Sequence, residues 1–226
     1  MLRHIAFIMD GNRTWARSNY LPQLEGHRRG YDNIEKIIDA CLEIQIPYIS
    51  FWALSDDNIR ERSDIEVSYL FDLLTRSIEK LITDATEKNI RLYFIGDRRL
   101  MRADCLDAIE KAEKETESHT AMNAIFAIGY GGQEEIARAV SQLAKTGKDM
   151  TNVTREDIFA HLETNIFPPP DLIIRTGGHI RHSGYFLFQS PYSEYFFSDR
   201  NWPDFSPYDL SLAIISYESR VRKFGK

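Results

Sequence analysis

The chain of 226 residues sets 28 lysines and arginines against 34 aspartates and glutamates, a net charge of −6, with 43 % hydrophobic residues. That composition excludes disorder, collagen-like repeats and a small disulfide scaffold, and it fits one globular domain over residues 1–226. The acidic balance also argues against a nucleic-acid partner, which would need a basic stripe to displace counterions from phosphates.

Short apolar runs alternate with amphipathic stretches. Residues 5–9 read as a strand buried on both faces, because consecutive positions are apolar. A helical pattern over residues 31–43 follows, then a strand over 48–54. The next helix, residues 66–87, puts Val67, Leu70, Phe71, Leu74, Ile78, Leu81, Ile82 and Ala85 on one face. That stripe reads either as core or as one wall of an elongated apolar cavity. Strands are expected at 90–95 and 124–128, around a helix at 101–118. Helices at 133–144 and 155–163 lead to strands at 172–174 and 186–188, with a last helix near 207–221. This alternation predicts an α/β fold with a mostly parallel sheet covered by helices on both faces. Cys41 and Cys105 stand alone in helical stretches and read as buried, reduced thiols. With no signal-peptide pattern and no apolar run near the roughly 18 residues that span a bilayer, a cytoplasmic protein is expected.

Open parallel sheets bind ligands where the carboxyl ends of the strands run into loops. The first strand ends in Asp10-Gly11-Asn12-Arg13, and the second in Ser55-Asp56-Asp57-Asn58 with Arg60 and Arg62 beyond. The third ends in Gly96-Asp97-Arg98-Arg99 and the fourth in Gly129-Tyr130-Gly131-Gly132. The fifth ends in Arg175-Thr176-Gly177-Gly178, followed by Arg181 and Ser183. Singly each has a bland reading, since Asp-Gly-Asn makes turns and acids such as Asp56 and Asp57 start helices. Together they bring arginines, glycines and a carboxylate to one edge. Arginine forks match phosphate oxygens, and glycine lets backbone approach an anion. An acid among them points to Mg²⁺ bridging to a phosphorylated ligand, because Mg²⁺ takes one or two carboxylates plus phosphates. GxxxxGK[ST], a GxGxxG after the first strand, GxSxG and DDxxD are absent, and the six histidines show no zinc spacing. P-loop, dinucleotide, serine-hydrolase, zinc and trans-type prenyl synthase chemistries are disfavoured accordingly.

These residues also carry a family resemblance. His4-Ile5-Ala6-Phe7-Ile8-Met9-Asp10-Gly11-Asn12 with Trp15-Ala16, then Gly26-His27-Arg28-Arg29-Gly30, open the series. Residues 55–58 with Glu66-Val67, and Tyr130-Gly131-Gly132 with Glu135-Ile136, continue it. Asp171 to Gly178, Arg181, Ser183, Gln189, Tyr192, Glu194, Trp202-Pro203-Asp204-Phe205 and the tail Arg220 to Gly225 complete it. In order and spacing they resemble the cis-prenyltransferases, the undecaprenyl diphosphate synthase family, nearly end to end.

The resemblance implies a six-stranded sheet with an apolar tunnel, a homodimer, and Mg²⁺-dependent condensation of isopentenyl diphosphate with an allylic diphosphate. Diphosphate would leave and a Z double bond would form, giving a lipid product through which the protein touches a membrane surface. Asp10 would be the catalytic acid that helps hold Mg²⁺, with Glu194 a second metal ligand reaching across from the partner motif. Gly11, Asn12, Trp15 and His27 would surround the allylic diphosphate. Ser55 and Asn58 would lie beside the reacting carbons, Asn58 relaying the departing proton. Arg175, Arg181 and Ser183 would grip the isopentenyl diphosphate.

The departures concentrate on the allylic side. The family usually has Arg where Thr14 stands and often where Gln23 stands, which leaves Arg13, Arg17 or Arg28 to meet that diphosphate. Ile59 and Glu61 replace a Trp and an Arg, and one extra residue before Glu66 gives the Arg role to Arg62. His179 stands where a Glu usually follows Gly178. Three readings remain: a Z-chain-elongating synthase, an irregular lavandulyl-type synthase on the same fold, and a non-catalytic accessory subunit. Retention of Asp10 and Glu194 disfavours the third.

Overall fold

A computed structural model describes residues 2–221 of the chain. Six apolar segments pair into one sheet: His4–Ile8 (β1), Tyr48–Ser55 (β2), Ile90–Ile95 (β3), Met122–Tyr130 (β4), Leu172–Arg175 (β5) and Glu194–Phe197 (β6). Their order is β3-β4-β2-β1-β5-β6, and every pair is parallel. The helices are Asn12–Ser18 (α1), Gln23–Glu43 (α2), Asp56–Glu61 (α3), Asp64–Glu87 (α4), Ala103–Glu115 (α5), Gly132–Lys145 (α6), Arg155–Phe159 (α7) and Pro207–Glu218 (α8). Local chemistry starts them: Ser55 and Ser63 cap α3 and α4, and Ser206 with Asp209 forms a capping box ahead of α8.

Strand side chains alternate between two apolar clusters. Ile5, Phe7, Phe51, Phe126 and Ile174 face the larger one, against Ile34 and Ile37 of α2, Leu70 and Ile78 of α4, and Trp202. Stacked rings cross that face, Phe7 on Phe51 at 5.1 Å, Phe51 on Phe126 at 5.6 Å and Phe94 on Phe126 at 5.5 Å. Ala6, Ile8, Ile125, Ala127 and Ile173 face the second cluster, closed by Tyr185 and Phe186. The chain after β1 therefore covers one face and the chain after β5 the other. Neighbouring strands whose connections part in this way open a crevice beyond their carboxyl ends.

Residues 186–188, expected as a strand, lie instead in a series of turns. Ser183, Gly184 and Phe186 take positive φ of 51°, 86° and 47°, and the apolar side chain of Phe186 roofs the second face. The sixth strand is the later segment, with Glu194 as its first residue. Helix α2 begins at Gln23 rather than 31, because Gly26 and Gly30 are packing positions rather than loop residues. A Cβ on Gly30 would sit 2.4 Å from Asn12 Oδ1. Helix α7 ends at Phe159, short of the expected boundary, and a 3₁₀ turn covers Glu163–Ile166. Both cysteines are buried free thiols, and burial pushes the Cys41 thiol up to about 12. Among the described residues no helix is long and apolar enough to cross a membrane. Of the family-like tail, residues 222–225 lie outside the described residues.

His4 yields a pH prediction. It is fully buried, with Nδ1 2.7 Å from the Pro168 carbonyl and Nε2 3.0 Å from Ser50 Oγ. Burial outweighs these contacts and holds its pKa down to about 4. The unfolded chain takes up the proton first, near pH 6.5, so this contribution is complete above that pH and is lost as pH falls toward 4. Between those limits it should amount to as much as about 3 kcal/mol, read from urea midpoints. His4→Asn should remove that part of the pH slope; an identical slope would contradict the assignment.

Candidate active site

Parallel pairing of β1 with β5 in the register Ile8↔Arg175 brings the ends of these strands side by side. Arg175 is only 5 % exposed. Its Nη2 donates to Asp10 Oδ2 at 2.8 Å, and its Nη1 donates to the Arg181 carbonyl and to Ser183 Oγ, both at 2.7 Å. The Nε–H is buried with no partner. Asp10 is held in turn: its Oδ1 accepts from the Gly11 amide at 2.7 Å, and its carbonyl accepts from Thr176 Oγ1 at 2.7 Å and the Trp202 amide at 3.0 Å. Gly177 permits this approach, with φ +83° and a virtual Cβ 2.9 Å from the Asp10 carbonyl carbon.

Two clefts open around this pair. One, about 330 Å³, is lined by Asp10, Gly11, Asn12, Arg13, Thr14, Arg17, Gln23, His27 and Arg62. The other, about 400 Å³, shares Asp10, Asn12, His27 and Arg62 and adds Ser55, Asn58, Arg175, His179, Arg181 and Ser183. Five arginines face the clefts against three carboxylates, Asp10, Asp57 and Glu61, a local positive excess in a chain whose net charge is −6, with Asp57 and Glu61 confined to the second cleft. Arg13 donates through Nε to Gln23 Oε1 at 3.1 Å. Arg62 donates to Asn58 Oδ1 at 2.6 Å and to Glu66 Oε1 at 3.0 Å, and the Ser55 hydroxyl caps the Asn58 amide at 3.0 Å. The Arg62–Asn58 contact is consistent with the role read for Arg62 from the one-residue insertion. His27 Nε2 lies 3.1 Å from the same Glu66 oxygen. Burial, reinforced by Arg62, moves the His27 pKa down, which favours a neutral imidazole between the clefts.

Most of the sequence-predicted site residues therefore come together, and two stand apart. Trp15 donates its indole N–H to Asp204 Oδ1 at 2.8 Å and is not among the residues lining either cleft. Glu194 pairs in register with Leu172, at the amino end of the sheet, and accepts from Arg220 Nη1 at 2.7 Å. Five residues of strand rise separate its level from Asp10, roughly 16 Å. Within one protomer these two carboxylates do not meet. Had residues 186–188 been the sixth strand, Glu194 would have followed its carboxyl end; the actual strand begins with it. Of the substitute arginines, Arg13 and Arg17 line a cleft, while Arg28 is tied to Glu25 at 2.5 Å and Asp32 at 2.9 Å. Glu66, noted in the sequence only as part of a motif, organises His27 and Arg62, and a partner four residues from Arg62 is the signal it left.

Beneath both clefts lies an apolar cavity of about 60 Å³, reached past Met9, Asn12 and His27 and walled by Tyr31, Leu54, Leu70 and Leu74. A second, of about 20 Å³, lies deeper between α2 and α4 against Leu81, Ala85 and Leu92. The apolar stripe of α4 thus serves both purposes, with Phe71, Ile78 and Ile82 in the core and Leu70 and Leu74 at the cavity.

The arrangement offers guanidiniums to an anion above an apolar space. Among the described residues no group of three or more His, Cys, Asp or Glu converges on a common point. A divalent cation here would take one carboxylate, Asp10, and most of its ligands from phosphate and water, which suits Mg²⁺. Asp10 faces both clefts and keeps 34 % of its side chain exposed, and Asn12 Oδ1 beside it is buried without a partner. These groups fit such an ion.

Comparison with known proteins agrees with this geometry. The model of the undecaprenyl diphosphate synthase family matches residues 8–225. A ditrans,polycis-undecaprenyl-diphosphate synthase of Legionella pneumophila, (2E,6E)-farnesyl-diphosphate specific, is 40 % identical over 228 residues, covering 99 % of this chain and 95 % of the relative. The crystal structure of lavandulyl diphosphate synthase from Lavandula x intermedia in complex with dimethylallyl diphosphate superposes with a TM-score of 0.94 at 34 % identity, covering 99 % and 98 %. A probable undecaprenyl diphosphate synthase from Campylobacter jejuni superposes with a TM-score of 0.84 at 27 % identity, covering 100 % and 99 %.

Arg175→Lys keeps the charge but not the fork that joins Asp10 to Ser183. Affinity for inorganic diphosphate, measured by titration calorimetry, should fall about tenfold or more while the circular dichroism spectrum holds. Unchanged affinity would show that the fork does not shape the clefts.

Proposed function

The chain belongs to the undecaprenyl diphosphate synthase family of prenyltransferases, and from that membership we propose that it condenses isopentenyl diphosphate with an allylic diphosphate. Diphosphate is released and a Z double bond is formed. The observation that carries this reading is the Asp10–Arg175 pair standing between two arginine-lined clefts, with an apolar cavity below them. The allylic diphosphate is assigned to the cleft of Arg13 and Arg17, its hydrocarbon passing His27 toward Leu54 and Leu70. The isopentenyl diphosphate is assigned to Arg175, Arg181 and Ser183.

Departure of diphosphate develops negative charge, which preorganised guanidiniums stabilise without reorganising. Mg²⁺ held by Asp10 and phosphate oxygens would neutralise part of that charge as a Lewis acid. Asn58, fixed by Arg62 and beside Ser55, is assigned the relay of the departing proton, whose final acceptor is the released diphosphate. His27, neutral and largely buried, borders the hydrocarbon without adding a charge to it. Each methylene leaving water for the cavity contributes about 0.8 kcal/mol, so the tail needs no polar contacts.

A homodimer is supported by the outer edge position of β6 and by Tyr208, Leu212 and Ile215, exposed along one side of α8. In such an assembly Glu194 is a candidate second carboxylate only from another copy, given its distance from Asp10 in one protomer. A second reading, irregular joining of two five-carbon units, has specific support in Thr14 and Gln23, which stand in the allylic cleft instead of arginines.

Incubation with labelled isopentenyl diphosphate and dimethylallyl, geranyl or farnesyl diphosphate, followed by product sizing, tests the proposal. Regular Z-prenyl diphosphates should form with Mg²⁺ and vanish with a chelator. Asp10→Ala should abolish turnover with its circular dichroism spectrum intact. Branched ten-carbon product would favour the second reading, and no turnover with any starter would overturn both.

A further inference from the structure

The two apolar cavities between α2 and α4 have two residues in common, Tyr31 and Ile34. Both come from α2, one helical turn apart, and together they form the partition between the cavity beneath the clefts and the deeper one. The Tyr31 ring is not free to swing aside. Its hydroxyl donates to the Ser77 carbonyl of α4 at 2.9 Å, with most of the side chain withdrawn from solvent. A phenol anchored at its far end to the opposite helix is a crossbar rather than a movable side chain. Ile34, 6 % exposed, closes the remaining gap on the sheet side.

On the solvent side the deeper cavity is fenced by charge. Lys80 bridges to Glu35 at 2.5 Å and to Asp84 at 3.6 Å, and Lys88 pairs with Asp39 at 2.5 Å. A hydrocarbon that passed Tyr31 would enter the deeper space but would meet these ion pairs before reaching water. The upper cavity, about 60 Å³, is well below the roughly 150 Å³ of an engineered cavity that accepts one benzene.

We propose that Tyr31, pinned to the Ser77 carbonyl, is the floor that limits product length, so that this chain makes a prenyl diphosphate of only a few five-carbon units. The inference rests on the functional reading above. A growing chain lengthens away from the clefts, down the wall of Leu70 and Leu74. When its end meets the Tyr31 ring, a further addition has no apolar volume to enter, and release competes with elongation. Removing the ring merges the two cavities and moves the floor to Leu81 and Ala85, close to two turns further along α4. Tyr31 is a specificity-determining residue in this account; it touches the end of the chain and not the reacting atoms.

The test compares wild type, Tyr31→Ala and Tyr31→Phe as full chains, with labelled isopentenyl diphosphate and dimethylallyl diphosphate, sizing the dephosphorylated products by chromatography and mass spectrometry. Tyr31→Ala should shift the distribution upward by at least one five-carbon unit. Tyr31→Phe keeps the ring but loses its anchor on the Ser77 carbonyl, so its product length should lie between those of wild type and Tyr31→Ala. A folded, active Tyr31→Ala with the wild-type distribution would overturn the proposal. If Tyr31→Ala does not fold, Leu74→Phe, which narrows the same space from the facing helix, should shorten the product, and an unchanged length would overturn it. A wild type that elongates nothing overturns the functional reading, and this inference falls with it.

Discussion

The site depends on one buried guanidinium. A charge removed from water is costly unless it is paired and hydrogen-bonded, and Arg175 meets that demand with Asp10, a backbone carbonyl and the Ser183 hydroxyl. These partners lie 165, 6 and 8 residues away in sequence. One side chain therefore ties the end of β1 to the end of β5 and to the turn beyond it. Its Nε–H remains without an acceptor, so the group is structurally committed yet not saturated. A rigid fork held at the opening of the sheet has the geometry that suits phosphate oxygens.

Around that anchor the structure keeps polar and apolar functions in separate layers. Five arginines outnumber three carboxylates at the rim while acids dominate the chain as a whole, so positive charge is in local excess there. Directly beneath, Met9, Asn12 and His27 mark the boundary with the apolar space between α2 and α4. Glu66 holds His27 and Arg62 from a position just inside α4. The same helix thus supplies an organiser of the charged layer and, one turn on, the Leu70 wall of the hydrocarbon layer.

The parallel sheet was legible because its central strands are apolar on consecutive positions, and the loops at their carboxyl ends carried the chemistry in plain view. Asp10, Arg175, Arg181 and Ser183 fell on the carboxyl-end rim that the alternation of strands and helices suggested. What pattern reading missed were positions whose character comes from distant neighbours. Phe186 is as apolar as a strand residue, but its left-handed backbone and its packing on the second face make it a roof. Residues 194–197 were not read as a strand, because an edge strand is half-covered throughout, with every residue of intermediate burial. Gly26 and Gly30 were hidden for a different reason, since glycines that admit a close neighbour, the Asn12 carbonyl at Gly26 and the Asn12 side chain at Gly30, look like loop glycines until the neighbour is known. Trp15 has the right motif and a different partner, the Asp204 carboxylate.

The most direct measurement is a crystal structure with isopentenyl diphosphate and an unreactive allylic thiolodiphosphate bound together with Mg²⁺. The account predicts one diphosphate against Arg13 and Arg17, the other against Arg175, Arg181 and Ser183, with the Asp10 carboxylate between them. Both diphosphates in one cleft, or either bound away from the ends of β1 and β5, would contradict it.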